Sequence, residues 1–164
     1  MKKIILMAFV TIVAVMGGGN AVSTLPKVVK ISANTCHKDK TFVDKNTNLM
    51  WQDQHFTDVE DAAFKNNRSV AKAGNHKHAV KYCRTLNYAG YSDWRLPTKD
   101  ELMAVHRLEG QVFTNFRDGD FWTSTQAMGS KYYVVYPADA YPYERNQKES
   151  NYIRCVRCVS STAK

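Results

Sequence analysis

The chain has 164 residues, 44% of them hydrophobic, with 23 Lys and Arg against 15 Asp and Glu and a formal net charge of +8. That length suits one domain able to bury a real core, and no internal repeat or low-complexity tract stands out. The basic excess favours acidic partners (sulfated or uronic-acid glycans, lipopolysaccharide, anionic lipid, nucleic acid) or serves solubility alone, and the lack of a recognition motif excludes specific nucleic-acid readout.

Residues 1–23 read as a secretory signal. Lys2 and Lys3 give a positive start, Ile4 to Met16 form an apolar run, and Ala21-Val22-Ser23 supply the small residues of a cleavage site. The run falls short of the about 20 residues a spanning helix needs, and no second long apolar segment follows, so the mature chain should not cross a membrane. Cleavage after Ala21 or Ser23 leaves 21 basic residues against 15 acidic, a net of +6. The expected location is the periplasm, the cell surface or the medium. Residues 24–35, with Pro26 and no clear periodicity, read as an extended arm, and 36–164 as the folded domain.

Thr41 to Gln52 reads as a β-hairpin turning at Asp44 to Asn48. Asp58 to Leu86 is helical in character, with a break at Gly74-Asn75. From His76 onward Ala79, Val80, Tyr82, Cys83 and Leu86 fall on one side at helical spacing, and Lys77, Lys81 and Arg84 on the other. After Pro97 a second helix begins. Thr98 and Glu101 form a capping box, Leu102, Val105 and Leu108 give the inward stripe, and Gly110 marks the end. Strands are expected at Phe121 to Thr125, Lys131 to Tyr136 and Tyr152 to Val159, and a polar, Tyr-rich surface loop at Ala138 to Asn151. A hairpin, two helices and strands returning to a terminal strand give an α+β fold whose ends meet.

Four cysteines, Cys36, Cys83, Cys155 and Cys158, point to disulfides in an exported chain. A zinc site at Cys155-Val156-Arg157-Cys158 would want a turn and a second ligand pair. A strand there instead turns Cys155 and Cys158 to opposite faces, which suits two different partners.

Trp51, Trp94 and Trp122 are expected in the core rather than on a sugar-stacking surface. Arg95, if buried, must be paired, with Asp93 or Asp44 as candidates. Between Asp61 and Asp93 there is no acid, yet Lys65, Arg68, Lys72, Lys77, Lys81 and Arg84 lie there with His76 and His78. The row Lys77, Lys81 and Arg84 can match repeated sulfates or phosphates, or it is a solvated helix face. The histidines His37, His55, His76, His78 and His106 show no metal-ligand spacing, and Ser124 has no nucleophile-elbow glycines. No metal or cofactor is expected.

Five blocks recur in order: Phe42 to Gln52, Tyr82-Cys83, Gly90 to Leu102 around Trp94-Arg95-Leu96-Pro97-Thr98, Phe121-Trp122-Thr123-Ser124, and Tyr152 to Cys158. This set resembles the Lcl C-terminal domain family, found at the end of bacterial collagen-like adhesins and in many exported bacterial proteins. The resemblance implies a variant of the C-type-lectin-like fold, α+β, with two helices packed on small antiparallel sheets, long loops and disulfides. It implies that fold's long-range bridge, Cys83 to Cys155, which leaves Cys36 for Cys158. It does not bring calcium-dependent sugar binding, because no Glu-Pro-Asn, Gln-Pro-Asp or Trp-Asn-Asp run occurs. Nor does it bring the oxidising chemistry of sulfatase-activating relatives, because all four cysteines are assigned to bridges. The expected function is non-catalytic, adhesin-like binding of an anionic glycan or similar polyanion through Lys77, Lys81, Arg84, Arg68 and Lys72. The alternative is a structural or accessory subunit of a surface assembly, touching surface proteins or its own copies through the Tyr-rich loops. An enzyme of unknown type comes third.

Overall fold

The computed structural model describes residues 40–159. The signal segment 1–23, the arm 24–35 and Cys36 lie outside the described residues. The elements are β1 (Thr41–Asp44), β2 (Leu49–Gln52), α1 (Asp58–Lys65), β3 (Ala73–Gly74), α2 (His76–Thr85), α3 (Lys99–His106), β4 (Phe121–Gln126), β5 (Lys131–Tyr136), β6 (Tyr141–Asn146), β7 (Asn151–Tyr152) and β8 (Val156–Cys158). The fold is α+β. Among the described residues three helices accompany two small sheets, where two helices were expected, and β4 pairs with β7 in parallel. Among the described residues no helix is long and apolar enough to cross a membrane.

β1 and β2 form the expected hairpin. The Asp44 carboxylate closes its turn by accepting from the Asn46 amide at 2.9 Å and the Thr47 hydroxyl at 2.7 Å. β2 pairs antiparallel with β8, so the end of the chain returns to the first hairpin. The segment expected as one terminal strand is two. β7 belongs to the five-stranded sheet β3-β7-β4-β5-β6, and the chain then crosses through Ile153-Arg154-Cys155 to β8 in the three-stranded sheet β1-β2-β8. The Tyr-rich stretch is also not all loop, because β6 pairs with β5 along its whole length. β6 is a sheet edge with no fully buried residue, so it lacks the apolar alternation that marks a strand in sequence.

The region expected as one broken helix is two helices separated by ten residues. Thr57 caps α1 in a capping box with Glu60. After Lys65 the backbone turns left-handed at Asn67 (φ 52°) and Ala71 (φ 44°), which no helix accommodates. Gly74 then has to be glycine, since a Cβ there would lie 2.6 Å from the His78 ring and 2.7 Å from the Ser69 hydroxyl. Asn75 caps α2 by accepting from the His78 amide at 2.9 Å. α3 carries the expected Thr98–Glu101 capping box but ends at His106, one turn before Gly110.

Neighbouring strand residues face opposite sides of a sheet. Phe121 and Val135 therefore pack with Ala63 of α1 and Leu102 and Val105 of α3. Trp122 and Val134 pack on the other side with Ala79 and Cys83 of α2. Trp51, Trp94 and Trp122 are 1%, 2% and 0% exposed, so all three build the core as expected. Cys83 and Cys155 are joined, with Cα atoms 5.5 Å apart, tying α2 to the crossing segment. Cys155 is buried and Cys158 exposed, but Cys155 lies in the crossing segment before β8 and not on one strand with Cys158 as expected. Among the described residues Cys158 has no disulfide partner, and Cys36, its expected one, lies outside them.

His106, at the end of α3, packs edge-on against Phe113 at 5.4 Å and lines a cavity of about 220 Å³. Its Nε2 is buried without a hydrogen-bond partner among the described residues. Burial, helped by the nearby Arg154 charge, pulls the imidazole down to about 4. The unfolded imidazole takes up its proton near 6.5, so between these values the unfolded state binds more protons and stability rises with pH. The contribution is fully present above about 6.5 and is lost on acidification toward 4; the shift corresponds to at most about 3 kcal/mol. His106→Leu should flatten the loss of stability between about pH 6.5 and 4.5 in urea denaturation. Equal slopes for variant and wild type would contradict this.

Candidate functional site: a cationic groove on α2

Helical spacing puts Lys77, Lys81 and Arg84 on the exposed side of α2, while Ala79 and Cys83 anchor the helix to the core. Val80, expected inward, is 39% exposed and sits among the cations. Lys77, Lys81 and Arg84 line one groove of about 460 Å³, whose other wall is Tyr132 of β5, Gln147 and the buried His76. Val80 and Arg84 continue into an adjoining groove of about 390 Å³ lined by Trp94, Arg95 and Ser124. Among the described residues none of Lys77, Lys81 and Arg84 has an ion-pair partner. Three like charges in one groove with no anion between them are a standing positive potential.

The other two expected ligand residues lie elsewhere. Lys72 is 5% exposed, and its Nζ is 2.8 Å from Glu60, itself 2% exposed. Glu60 also accepts from the Lys72 amide at 2.9 Å and from the Thr57 amide at 2.7 Å. Burial works against its charge, but the Lys72 ammonium and these amides hold the carboxyl below its usual range. Lys72 is thus a core cation, not a surface ligand residue. Arg68 is exposed but lines a separate cleft against α1 with Val59 and Val70.

Arg95 also departs from expectation. It is half-buried and makes a two-pronged bond to Glu101, Nη1 to Oε2 at 2.8 Å and Nη2 to Oε1 at 2.6 Å. Glu101 at the same time accepts from the Thr98 amide at 2.8 Å, so one carboxylate locks the Pro97 turn and caps α3. Asp93 instead takes Arg157, Nε to Oδ1 at 2.6 Å. The Arg157 guanidinium lies 3.7 Å from the centre of the Tyr91 ring.

His76 and His78 are not arranged for a metal. The His76 Nε2 is 3.0 Å from the Thr123 carbonyl and the His78 Nε2 is 2.9 Å from the Ala71 carbonyl. A carbonyl only accepts, so each Nε2 carries a hydrogen and donates it. Burial pulls His76 below its usual range, which keeps it neutral at pH 7. Among the described residues no group of three or more His, Cys, Asp or Glu could hold a metal ion.

The model of the Lcl C-terminal domain family matches residues 40–157, well over half of the chain. The chain belongs to the Lcl C-terminal domain family. The matched range takes in both sheets, all three helices and the Cys83–Cys155 bridge, so the α2 groove is part of the Lcl C-terminal domain itself. A search of curated proteins found no match to the chain. Reading the row from helical periodicity found its three cations but missed Tyr132, Gln147 and His76 as its walls. Tyr132 stood in an expected strand, and its alternation with Val134 was the available signal for which face it shares with α2.

Proposed function

We propose that this chain is an exported, non-catalytic binding domain that takes an anionic glycan or similar polyanion in the α2 groove. The observation that carries the reading is three exposed cations, Lys77, Lys81 and Arg84, lining one concave surface with no anion paired to them. The domain family supports a surface-associated, adhesin-like role, and a C-type-lectin-like architecture fits the return of β8 to the first hairpin and the bridge from α2. Val80 and Tyr132, which line the groove, offer apolar surface beside the charges, as ligand sites commonly do.

One observation favours a second reading, a structural subunit acting through protein contacts. On the edge strand β6, Tyr141 is 58% exposed and packs edge-on against Tyr143 at 5.2 Å. Such an exposed aromatic pair suits a protein interface.

A glycan array probed with the exported protein at two ionic strengths separates the two. Sulfated and uronate-rich glycans should bind over neutral ones. Their signal should fall steeply from about 0.1 M to 1 M salt, as the screening length shrinks from about 10 Å to about 3 Å. Binding confined to neutral glycans, or salt-insensitive self-association without glycan binding, would overturn the first reading.

A further inference from the structure

Resting on the polyanion reading above, we infer that Tyr132 is a stacking platform that makes the α2 groove select sugar-based polyanions over linear ones such as polyphosphate. The Tyr132 ring is stacked on the His76 ring, with centroids 3.5 Å apart and planes 16° from parallel. His76 is itself fixed. Its Nε2–H donates to the Thr123 carbonyl, and its ring meets Trp122 edge-on at 5.3 Å. Trp122 is in turn held through its Nε1, which donates to the Gly74 carbonyl at 2.7 Å. Tyr132 therefore rests on a rigid stack running down into the core, half-buried, with its ring lining the groove beside Lys77, Lys81 and Arg84.

A groove with cations on one side and an aromatic ring on the other discriminates by shape of charge. A linear polyphosphate is hydrated on every side and gains from the cations alone. A pyranose ring carries an apolar C–H face and places its sulfate or carboxylate groups at the ring edge. It can lay the face on Tyr132 and Val80 while the edge groups reach the cations. From Lys77 to Arg84 the helix rises about 10 Å, close to the length of a disaccharide. A preorganised ring also loses little freedom on binding, which favours affinity.

The test measures binding of a heparin-derived tetrasaccharide and of charge-matched polyphosphate to the full exported chain, as wild type, Tyr132→Ala and Tyr132→Phe. Tyr132→Ala should weaken the tetrasaccharide about tenfold while polyphosphate stays within about twofold. Tyr132→Phe should retain both affinities, because the ring face is kept. Should Tyr132→Ala lose its native melting curve, Tyr132→Leu keeps apolar bulk without an aromatic face and should show the same selective loss. Equal losses for both probes, or no loss for either, overturn the inference while leaving the polyanion reading standing. A wild type that binds neither probe, or that binds only vesicles of anionic lipid, overturns that reading and the inference with it.

Discussion

Replacing Cys83 and Cys155 together with Ala should destabilise the protein by about 4 kcal/mol. The bridge joins positions 72 residues apart, so its loss frees a long loop in the unfolded chain. It also ties α2, which carries the cationic row, to the crossing segment between the two sheets, where every residue from Asn151 to Arg157 is buried. Both cysteines are 0% exposed, so the native bridge should resist reductant until the fold opens. The double variant is therefore the cleaner test. Out of the about 5–15 kcal/mol typical of a domain, that loss should lower the melting temperature by on the order of 15 °C. Urea denaturation of the purified variant measures it, and a loss below about 1 kcal/mol would show that the bridge is not a stabilising clamp.

Arg154→Met should cost a similar amount, about 3–5 kcal/mol. Arg154 is 2% exposed on the crossing segment, and burial pulls its guanidinium down to about 10, still charged at neutral pH. Nη1 donates to the Gln52 carbonyl at 2.8 Å and lies 3.4 Å from Asp53 Oδ1, and Nη2 donates to the Asn115 carbonyl at 2.6 Å. The guanidinium lies over the Phe113 ring at 3.8 Å from its centre. Asp53 is likewise 2% exposed and accepts from the amides of Thr114 and Asn115, each at 2.9 Å. Met keeps the bulk but leaves the Asp53 carboxylate buried without its cation, and that is where the cost arises. Asp53→Asn with Arg154→Met should recover part of the loss, since no buried charge then remains. Simple additivity of the two single variants in urea denaturation would contradict the pairing.

What was legible in the sequence was local. The Thr98–Glu101 capping box, the first hairpin and the outward row on α2 each depend on residues within two turns of one another. Long-range partners were not legible. Lys72 stood in an acid-free run, and its neutraliser Glu60 comes from α1, brought back by the left-handed turns at Asn67 and Ala71. The pattern of charges along the chain thus suggested a surface cation where folding makes a core ion pair. Arg95 was expected to pair with Asp93 or Asp44, but the turn at Pro97 carries Glu101 to it and leaves Asp93 for Arg157 from β8. The Cys83–Cys155 bridge came from the family resemblance, whereas strand alternation assumed one terminal strand for Cys155 and Cys158 that the chain breaks at Ile153-Arg154-Cys155. β6 was hidden because an edge strand need bury neither face. Of the site, the cations were readable, but the wall facing them was not, since Tyr132 and Gln147 belong to strands and turns that sequence alone does not dock on α2.

The most direct test of the α2 groove as the binding surface is heparin affinity of K77Q/K81Q/R84Q against wild type at two salt concentrations. All three residues are exposed and Gln keeps helix propensity, so the melting curve should be native. At low salt the triple variant should bind far more weakly than wild type, and raising salt should bring the two together as screening removes the wild-type advantage. Equal affinity at low salt, with a native melting curve, would contradict a binding site on α2 and leave the positive charge as a matter of solubility.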